Sequence, residues 1–158
     1  MRLKKGFTIV EVSLVAAIGG LILVGALIAV PNLLRTSRDA QRKTDMETLV
    51  SAIKKYQTNN NRGALPENWS DFRSDFLSDF ADPNGYDYTL DVFNCNKAAD
   101  VSCSTTGHSL DGLFPNDYKM FVVIGAKCKD NSPVGSSNQR KFAVLYRLET
   151  NDLFCLEG

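Results

Sequence analysis

The hydrophobic pattern is dominated by an uncharged, mostly apolar run over residues 12–30. As a helix, a run of that length rises about 28 Å, close to the hydrocarbon thickness of a bilayer. Arg2, Lys4 and Lys5 precede it. We therefore predict a transmembrane helix over residues 12–30, with its basic end in the cytoplasm. Pro31 follows the run, and because proline removes a backbone donor we expect a kink or a loosened turn there.

Beyond Pro31 the pattern becomes that of an amphipathic helix. Residues 44–57 carry one apolar stripe at spacings of three and four: Met46, Leu49, Val50, Ile53 and Tyr56 or Gln57. Other faces carry the charged residues Arg35, Arg38, Asp39, Arg42, Lys43, Asp45 and Glu47. The asparagines at 59–61 and Pro66 end the helix. We predict one long helix over residues 7–57, whose second half packs an apolar stripe on a small domain and is otherwise solvated.

Residues 58–158 contain shorter segments in which apolar residues recur at regular spacings. Aromatic residues and one leucine recur at threes and fours from Trp69 to Phe80, which predicts a short helix over residues 70–80 capped by Ser70. We expect three or four antiparallel strands against the second half of the long helix. The strands are predicted over residues 86–93, 120–124, 141–148 and 153–156, with turns at 82–85 and 149–152, and loops over 94–117 and 132–137.

Composition and charge narrow the class of protein. The chain has 158 residues, of which 44% are hydrophobic, enough for one membrane segment and one small domain. Its formal net charge is zero, so no basic surface predicts a nucleic-acid partner. Removal of residues 1–6 would take away three of the 18 basic residues and leave a side-chain charge of −3.

Four cysteines follow the membrane segment, on the side that the basic N-terminus places outside the cytoplasm: Cys95, Cys103, Cys128 and Cys155. An even number in that location predicts two disulfides rather than redox catalysis. Three connectivities are possible. We favour Cys95–Cys103 and Cys128–Cys155, because each pair closes a plausible local unit.

Candidate chemistry is sparse. Because the chain has a single histidine, His108, most histidine-based metal sites and catalytic triads are excluded. Residues 82–87 offer oxygen ligands, but their spacing does not fit the twelve-residue calcium loop, so we interpret them as a turn. A glycosylation sequon begins at Asn68, a pattern with many chance matches. We predict no catalytic site, no metal site and no cofactor.

Residues 1–31 admit three interpretations. A secretory signal peptide cut after Ala26 fits poorly, because Glu11 interrupts the apolar region and the run is long. A plain signal anchor needs no motif at the N-terminus. The third interpretation is a short leader cut between Gly6 and Phe7, which frees an amine that can pair with Glu11. An ionisable residue beside a membrane segment usually has such a partner and a function.

Residues 5–11 read Lys-Gly-Phe-Thr-Ile-Val-Glu before an apolar helix and resemble the N-terminal motif of type IV prepilins. The resemblance implies an α+β pilin-like fold with a leader over 1–6, a long helix over 7–57 and a globular head over 58–158. It also implies cleavage after Gly6, N-methylation of Phe7 and a role for Glu11 in assembly. Pro31 lies three residues farther from Phe7 than in the usual pilin pattern.

The function implied by the resemblance is that of a non-enzymatic structural subunit of a pilus filament. Its expected partners are further copies of the chain, the prepilin peptidase, the pilus assembly machinery with other pilins, and the membrane before assembly. The expected location is a single-pass membrane protein with a cytoplasmic N-terminus, and then an extracellular filament. A minor pilin or a secretion pseudopilin is the alternative within this class. From another class, the alternative is a single-pass anchored binding domain.

Overall fold

A computed structural model of the chain describes residues 6–59, 63–95, 103, 118–150 and 152–158. The chain divides into two compact units, Met1–Ser37 and Arg38–Gly158. Within the described residues the elements are α1 (Ile9–Asn59), α2 (Trp69–Phe76), β1 (Thr89–Asn94), β2 (Lys119–Ile124), β3 (Ala126–Lys129), β4 (Ser132–Gly135), β5 (Phe142–Arg147) and β6 (Leu153–Glu157). The α+β class predicted from the sequence is confirmed.

The first unit contains the N-terminal part of α1. Every residue over 12–30 is exposed, and the most apolar 18-residue window of α1 has a mean hydropathy of 2.6. By length and composition, α1 can therefore cross a membrane. The helix continues through Pro31, so the proline does not end it.

The second unit begins at Arg38 and includes the last part of α1. The apolar stripe predicted there is confirmed, because Met46, Leu49 and Ile53 are fully buried. They share a core with α2 and with residues of β2 and β5. Complete burial of a side chain of this size stabilises the fold by about 1.5–3 kcal/mol. The stripe therefore holds this part of α1 on the sheet.

Four strands form a sheet in the order β1-β2-β5-β6. The prediction of an all-antiparallel sheet is wrong: β2, β5 and β6 are antiparallel neighbours, but β1 runs parallel to β2, with Thr89 opposite Lys119. Alternation of apolar residues predicts a strand but not its direction. A parallel pair needs a long crossover connection, and the segment between β1 and β2 has sufficient length.

Both faces of the central strands are covered. In β2, Met120 and Val122 belong to the core beneath α1, whereas Phe121 and Val123 belong to a smaller core that includes the cysteines. Successive side chains of a strand point to opposite faces. Burial on both faces explains why β2 and β5 are almost continuously apolar in sequence.

A hairpin formed by β3 and β4 was not predicted, and β4 replaces part of the loop expected over residues 132–137. The turn residues Asp130 and Asn131 have φ angles of 49° and 57°, as a tight hairpin requires. Gly125, with a φ of 69°, joins β2 to β3, and a Cβ there would lie 2.8 Å from Oε1 of Gln139. The hairpin signal therefore consists of turn residues rather than of an apolar run.

Helix α2 is shorter than predicted. Its N-cap is Asn68, not Ser70, since Oδ1 of Asn68 accepts hydrogen bonds from the backbone N atoms of Ser70 and Asp71 at 3.1 and 3.4 Å. The helix ends at Phe76, and Asp79 beyond it has a φ of 59°, which a helix cannot contain. The aromatic spacing therefore extends past the helix that it identifies.

Candidate functional site

The N-terminal motif forms a helix cap. The backbone N and Oγ1 atoms of Thr8 each donate to Oε2 of Glu11 at 2.8 Å. In return, the backbone N of Glu11 donates to Oγ1 of Thr8 at 3.3 Å. This reciprocal pair is a capping box, which satisfies backbone donors at the start of α1. The Thr-x-x-Glu spacing was visible in the sequence, but its capping role was missed there.

The two residues before the cap lie outside the helix. Phe7 is 88% exposed, and a Cβ added to Gly6 would meet no atom within 4 Å. The bond between them therefore lies in an accessible, non-helical segment. The structure therefore brings Thr8 and Glu11 together and leaves the Phe7 side chain exposed.

The four cysteines form two disulfides, Cys95–Cys103 and Cys128–Cys155, the pairs favoured from the sequence. Their Cα–Cα distances are 5.4 and 5.8 Å, within the usual range for disulfides. Cys128 belongs to β3 and Cys155 to β6. The second disulfide therefore joins the hairpin to the last strand of the sheet.

A buried arginine lies at the centre of a charged cluster in the second unit. The Arg42 side chain is fully buried, and its Nε and Nη2 atoms donate to the two carboxylate oxygens of Asp82 at 2.7 and 3.3 Å. Its Nη1 atom donates to Asp39 at 3.2 Å and to Glu149 at 2.9 Å. The guanidinium carbon lies 5.7 Å from the centroid of the Tyr146 ring. Three carboxylates from separate parts of the chain therefore surround one cation.

A second arginine completes the cluster. Arg38 donates from Nε and Nη2 to the two oxygens of Glu149 at 2.6 and 2.7 Å, the bidentate geometry that suits a guanidinium. The backbone N of Glu149 donates to Oδ1 of Asp39 at 3.0 Å. We call Arg38, Asp39, Arg42, Asp82 and Glu149 the arginine cluster. It ties α1 to the β5–β6 turn and to the turn before β1.

The electrostatics of the arginine cluster favour the charged forms. Burial alone would lower the pKa of Arg42, but the hydrogen bonds to Asp82 and Asp39 and the nearby negative charge keep that pKa above its ordinary value. Hydrogen bonds from Arg38 lower the pKa of Glu149. The cations are matched by carboxylates on all sides, so the cluster is a structural clamp and presents no unpaired base or nucleophile.

Close to the arginine cluster is a pair, Tyr88 and Asp45, whose surroundings favour the neutral rather than the charged forms. The Tyr88 hydroxyl donates to Oδ2 of Asp45 at 2.8 Å. Burial raises the pKa of Asp45, and the hydrogen bond from Tyr88 only partly opposes it. Burial and the Asp45 carboxylate also raise the pKa of Tyr88. Asp45 therefore belongs to the packed side of α1, although the sequence pattern placed it on a solvated face.

Within the described ranges, no three His, Cys, Asp or Glu side chains are grouped so that they could hold a metal ion. The loop expected around His108 lies outside the described residues. No protein-family model, no curated protein and no solved structure matches the chain.

Proposed function

We propose that this chain is a structural subunit of a type IV pilus filament, cut after Gly6 and assembled through α1. One observation carries the proposal: an accessible, non-helical bond between Gly6 and Phe7 is followed at once by a capped apolar helix. That helix is exposed on every side over residues 12–30. The resemblance of residues 5–11 to the prepilin motif supports the same function.

The exposed apolar helix needs a covering. A helix that is apolar around its whole circumference is typical of a membrane span or of the interior of a large assembly. In this proposal, lipid covers residues 12–30 before assembly, and the α1 helices of further copies cover them in the filament. Both environments exclude water, so the same sequence suits both.

Processing and export follow in order. The prepilin peptidase cuts the bond after Gly6 at the cytoplasmic face and methylates the new amine of Phe7. The second unit lies outside the cytoplasm, where its two disulfides are stable. The assembly machinery then adds the subunit, with other pilins, to an extracellular filament. A minor pilin or pseudopilin would pass through the same steps.

N-terminal mass spectrometry of the exported protein tests the proposal. The expected N-terminus is a methylated Phe7. A single-pass anchored binding domain, the alternative from another class, keeps Met1 or loses only that residue, and finding either form in the exported protein would contradict the proposal.

Gly6→Val provides the matching genetic test. A branched side chain directly before the cut bond obstructs the peptidase, so we expect uncleaved precursor to remain in the membrane. Gly25→Val is the control, because the same change lies within the apolar helix and also meets no atom within 4 Å. It should leave cleavage intact. Mature protein of normal length from Gly6→Val would count against the prepilin assignment.

A further inference from the structure

A groove with an aromatic floor lies beside α2 in the second unit. Its volume is about 600 Å³, and its floor includes Tyr56, Phe72 and Phe76. These rings pack closely: Tyr56 meets Phe72 and Phe76 edge-on at centroid distances of 5.7 Å, and the two phenylalanines stack at 5.2 Å. Because these rings pack against one another, they give the groove a defined shape.

The rim of the groove is acidic. Glu67, Asp71 and Asp75 line it, and all three are exposed. Within the part of the chain that the structure describes, none of them forms an ion pair. Aromatic faces and carboxylates both attract ammonium and guanidinium groups. We call the three rings and three carboxylates the acidic groove.

A basic surface lies elsewhere on the same unit. Lys54, Arg140 and Lys141 surround a depression of about 430 Å³. Gln57 fixes the loop that carries two of them, because its Nε2 atom donates to the backbone O of Arg140 at 2.9 Å. Lys141 is paired with Glu157, whereas Lys54 and Arg140 form no ion pair with any described residue. We call Lys54, Arg140 and Lys141 the basic patch.

The two surfaces lie on opposite sides of α1. Tyr56 faces the acidic groove, whereas Lys54, Gln57 and Thr58 line the basic patch. At 100° per residue, these directions differ by about 150° around the helix axis. One copy of the chain therefore cannot bring its own basic patch to its own acidic groove. A second copy can do so, and the contact is then head-to-tail.

We propose that the acidic groove of one subunit receives Lys54 and Arg140 of the next subunit. The inference rests on the proposed function, because a head-to-tail contact that does not close into a ring repeats along a filament. A second copy is the occupant because one chain carries both exposed cations and exposed carboxylates that form no ion pair with any described residue. The contact adds an interface between heads to the packing of the α1 helices.

Carbodiimide crosslinking of purified filaments tests the contact. The reagent joins a lysine amine to a carboxylate with loss of water and adds no spacer. We expect covalent dimers in which Lys54 is linked to Glu67, Asp71 or Asp75. The pair Lys141 and Glu157 is the internal control, because it lies within one chain and its crosslink remains in the monomer band.

A charge reversal tests the same contact in a second way. Lys54→Glu and Asp75→Lys should each reduce recovery of sheared filaments about two- to fivefold, as expected for the loss of one surface ion pair. Asp75 lies in the last turn of α2, where a basic residue suits the helix dipole, so the change should not unfold the helix. Lys55→Glu, which makes the same charge change at the next exposed position, is the control and should have no effect.

The combined variant Lys54→Glu with Asp75→Lys tests whether positions 54 and 75 of neighbouring subunits contact each other. It should restore recovery and give dimers crosslinked between positions 54 and 75. Three results would overturn the interface and leave the proposed function standing, provided that the chains in the filaments are cleaved. The filaments could lack these crosslinks, the groove could be crosslinked to a different protein, or the combined variant could fail to restore filament recovery. A failure to find Phe7 at the N-terminus of exported chains would overturn both.

Discussion

At the scale of single residues, Arg42 shows what the sequence pattern could not reveal. Helical spacing identified the apolar stripe of α1 correctly, but it placed Arg42 and Asp39 on a solvated face. Both are buried. Their partners Asp82 and Glu149 are distant in the sequence, so no local pattern connects them. Whether a charged residue is solvated or buried against a counter-charge depends on the tertiary structure.

Removal of the Arg42 charge should strongly destabilise the second unit. Arg42→Met leaves buried Asp39 and Asp82 without their cation, and breaking a buried pair in this way costs about 3–5 kcal/mol. The measurement is denaturant unfolding of the full chain in detergent, followed by the fluorescence of Trp69, the only tryptophan. Arg38→Met is the control, because that side chain is 32% exposed and its partner keeps Arg42. Similar losses for the two variants would contradict the ranking.

Glu149 should make folding stability depend on pH. Arg38 lowers the pKa of Glu149 in the folded state below its ordinary value of 4.5. The folded state thus favours the ionised form, and this contribution is complete above pH 4.5 and is lost as the pH falls through the folded-state pKa. Asp45 acts in the opposite sense, because burial raises its pKa.

The measurement for Glu149 is the free energy of unfolding between neutral and acidic pH. Glu149→Gln should be less stable than wild type at neutral pH and should lose less stability on acidification. Asp130→Asn removes an exposed carboxylate at a turn and serves as the control. An unchanged pH dependence in Glu149→Gln would show that this carboxylate is not linked to folding.

At the scale of elements, the apolar pattern of the sequence predicted where helices and strands occur. It did not predict how the strands pair or in which direction they run. The buried stripe of α1 was predicted from its helical spacing, β2 and β5 from their apolar sequences, and β6 from the turn that precedes it. The hairpin of β3 and β4 has no such pattern and depends on turn geometry at Asp130 and Asn131. The parallel direction of β1 was also inaccessible, since direction is set by the path of the connection. The N-terminal capping box could have been predicted from Thr8 and Glu11.

The two disulfides should contribute unequally to the stability of these elements. In the chain-entropy model, loops closed by residues 27 and 8 apart in sequence correspond to about 3.6 and 2.6 kcal/mol. Replacing both Cys128 and Cys155 with serine should therefore destabilise the head more than replacing both Cys95 and Cys103. Unfolding of the paired variants in detergent measures the difference. The reverse order would mean that native packing outweighs loop length.

At the scale of the whole molecule, Glu11 has one observed partner and one proposed partner, which belong to different states. In the single subunit it completes the cap with Thr8. In the proposed filament it faces the free amine of Phe7 on a neighbouring copy, because a carboxylate from which water is excluded needs a cation beside it. The cap needs only a hydrogen-bond acceptor, whereas the pairing with an amine needs a negative charge.

Glu11→Gln separates these two roles. Glutamine serves in a capping box as glutamate does, so the helix start should be preserved. Without the charge, we expect the variant to be cleaved and to accumulate in the membrane but to enter filaments poorly, nearly as poorly as Glu11→Ala. Filament yield is compared with the membrane pool, and cleavage is checked separately. If Glu11→Gln assembles like wild type while Glu11→Ala fails, the cap alone explains Glu11.

The parallel pairing of β1 with β2 also determines how the head reaches its native state. Strands β5 and β6 are joined by a tight turn and can pair early, whereas Thr89 meets Lys119 only after the long segment between them has closed. Contacts between residues distant in sequence form slowly, because chain entropy is lost before the pairing compensates for it. Until β1 arrives, β2 presents an unpaired backbone edge, which is a template for association with other chains. The rate at which this segment closes therefore sets how long each newly made second unit remains prone to aggregation.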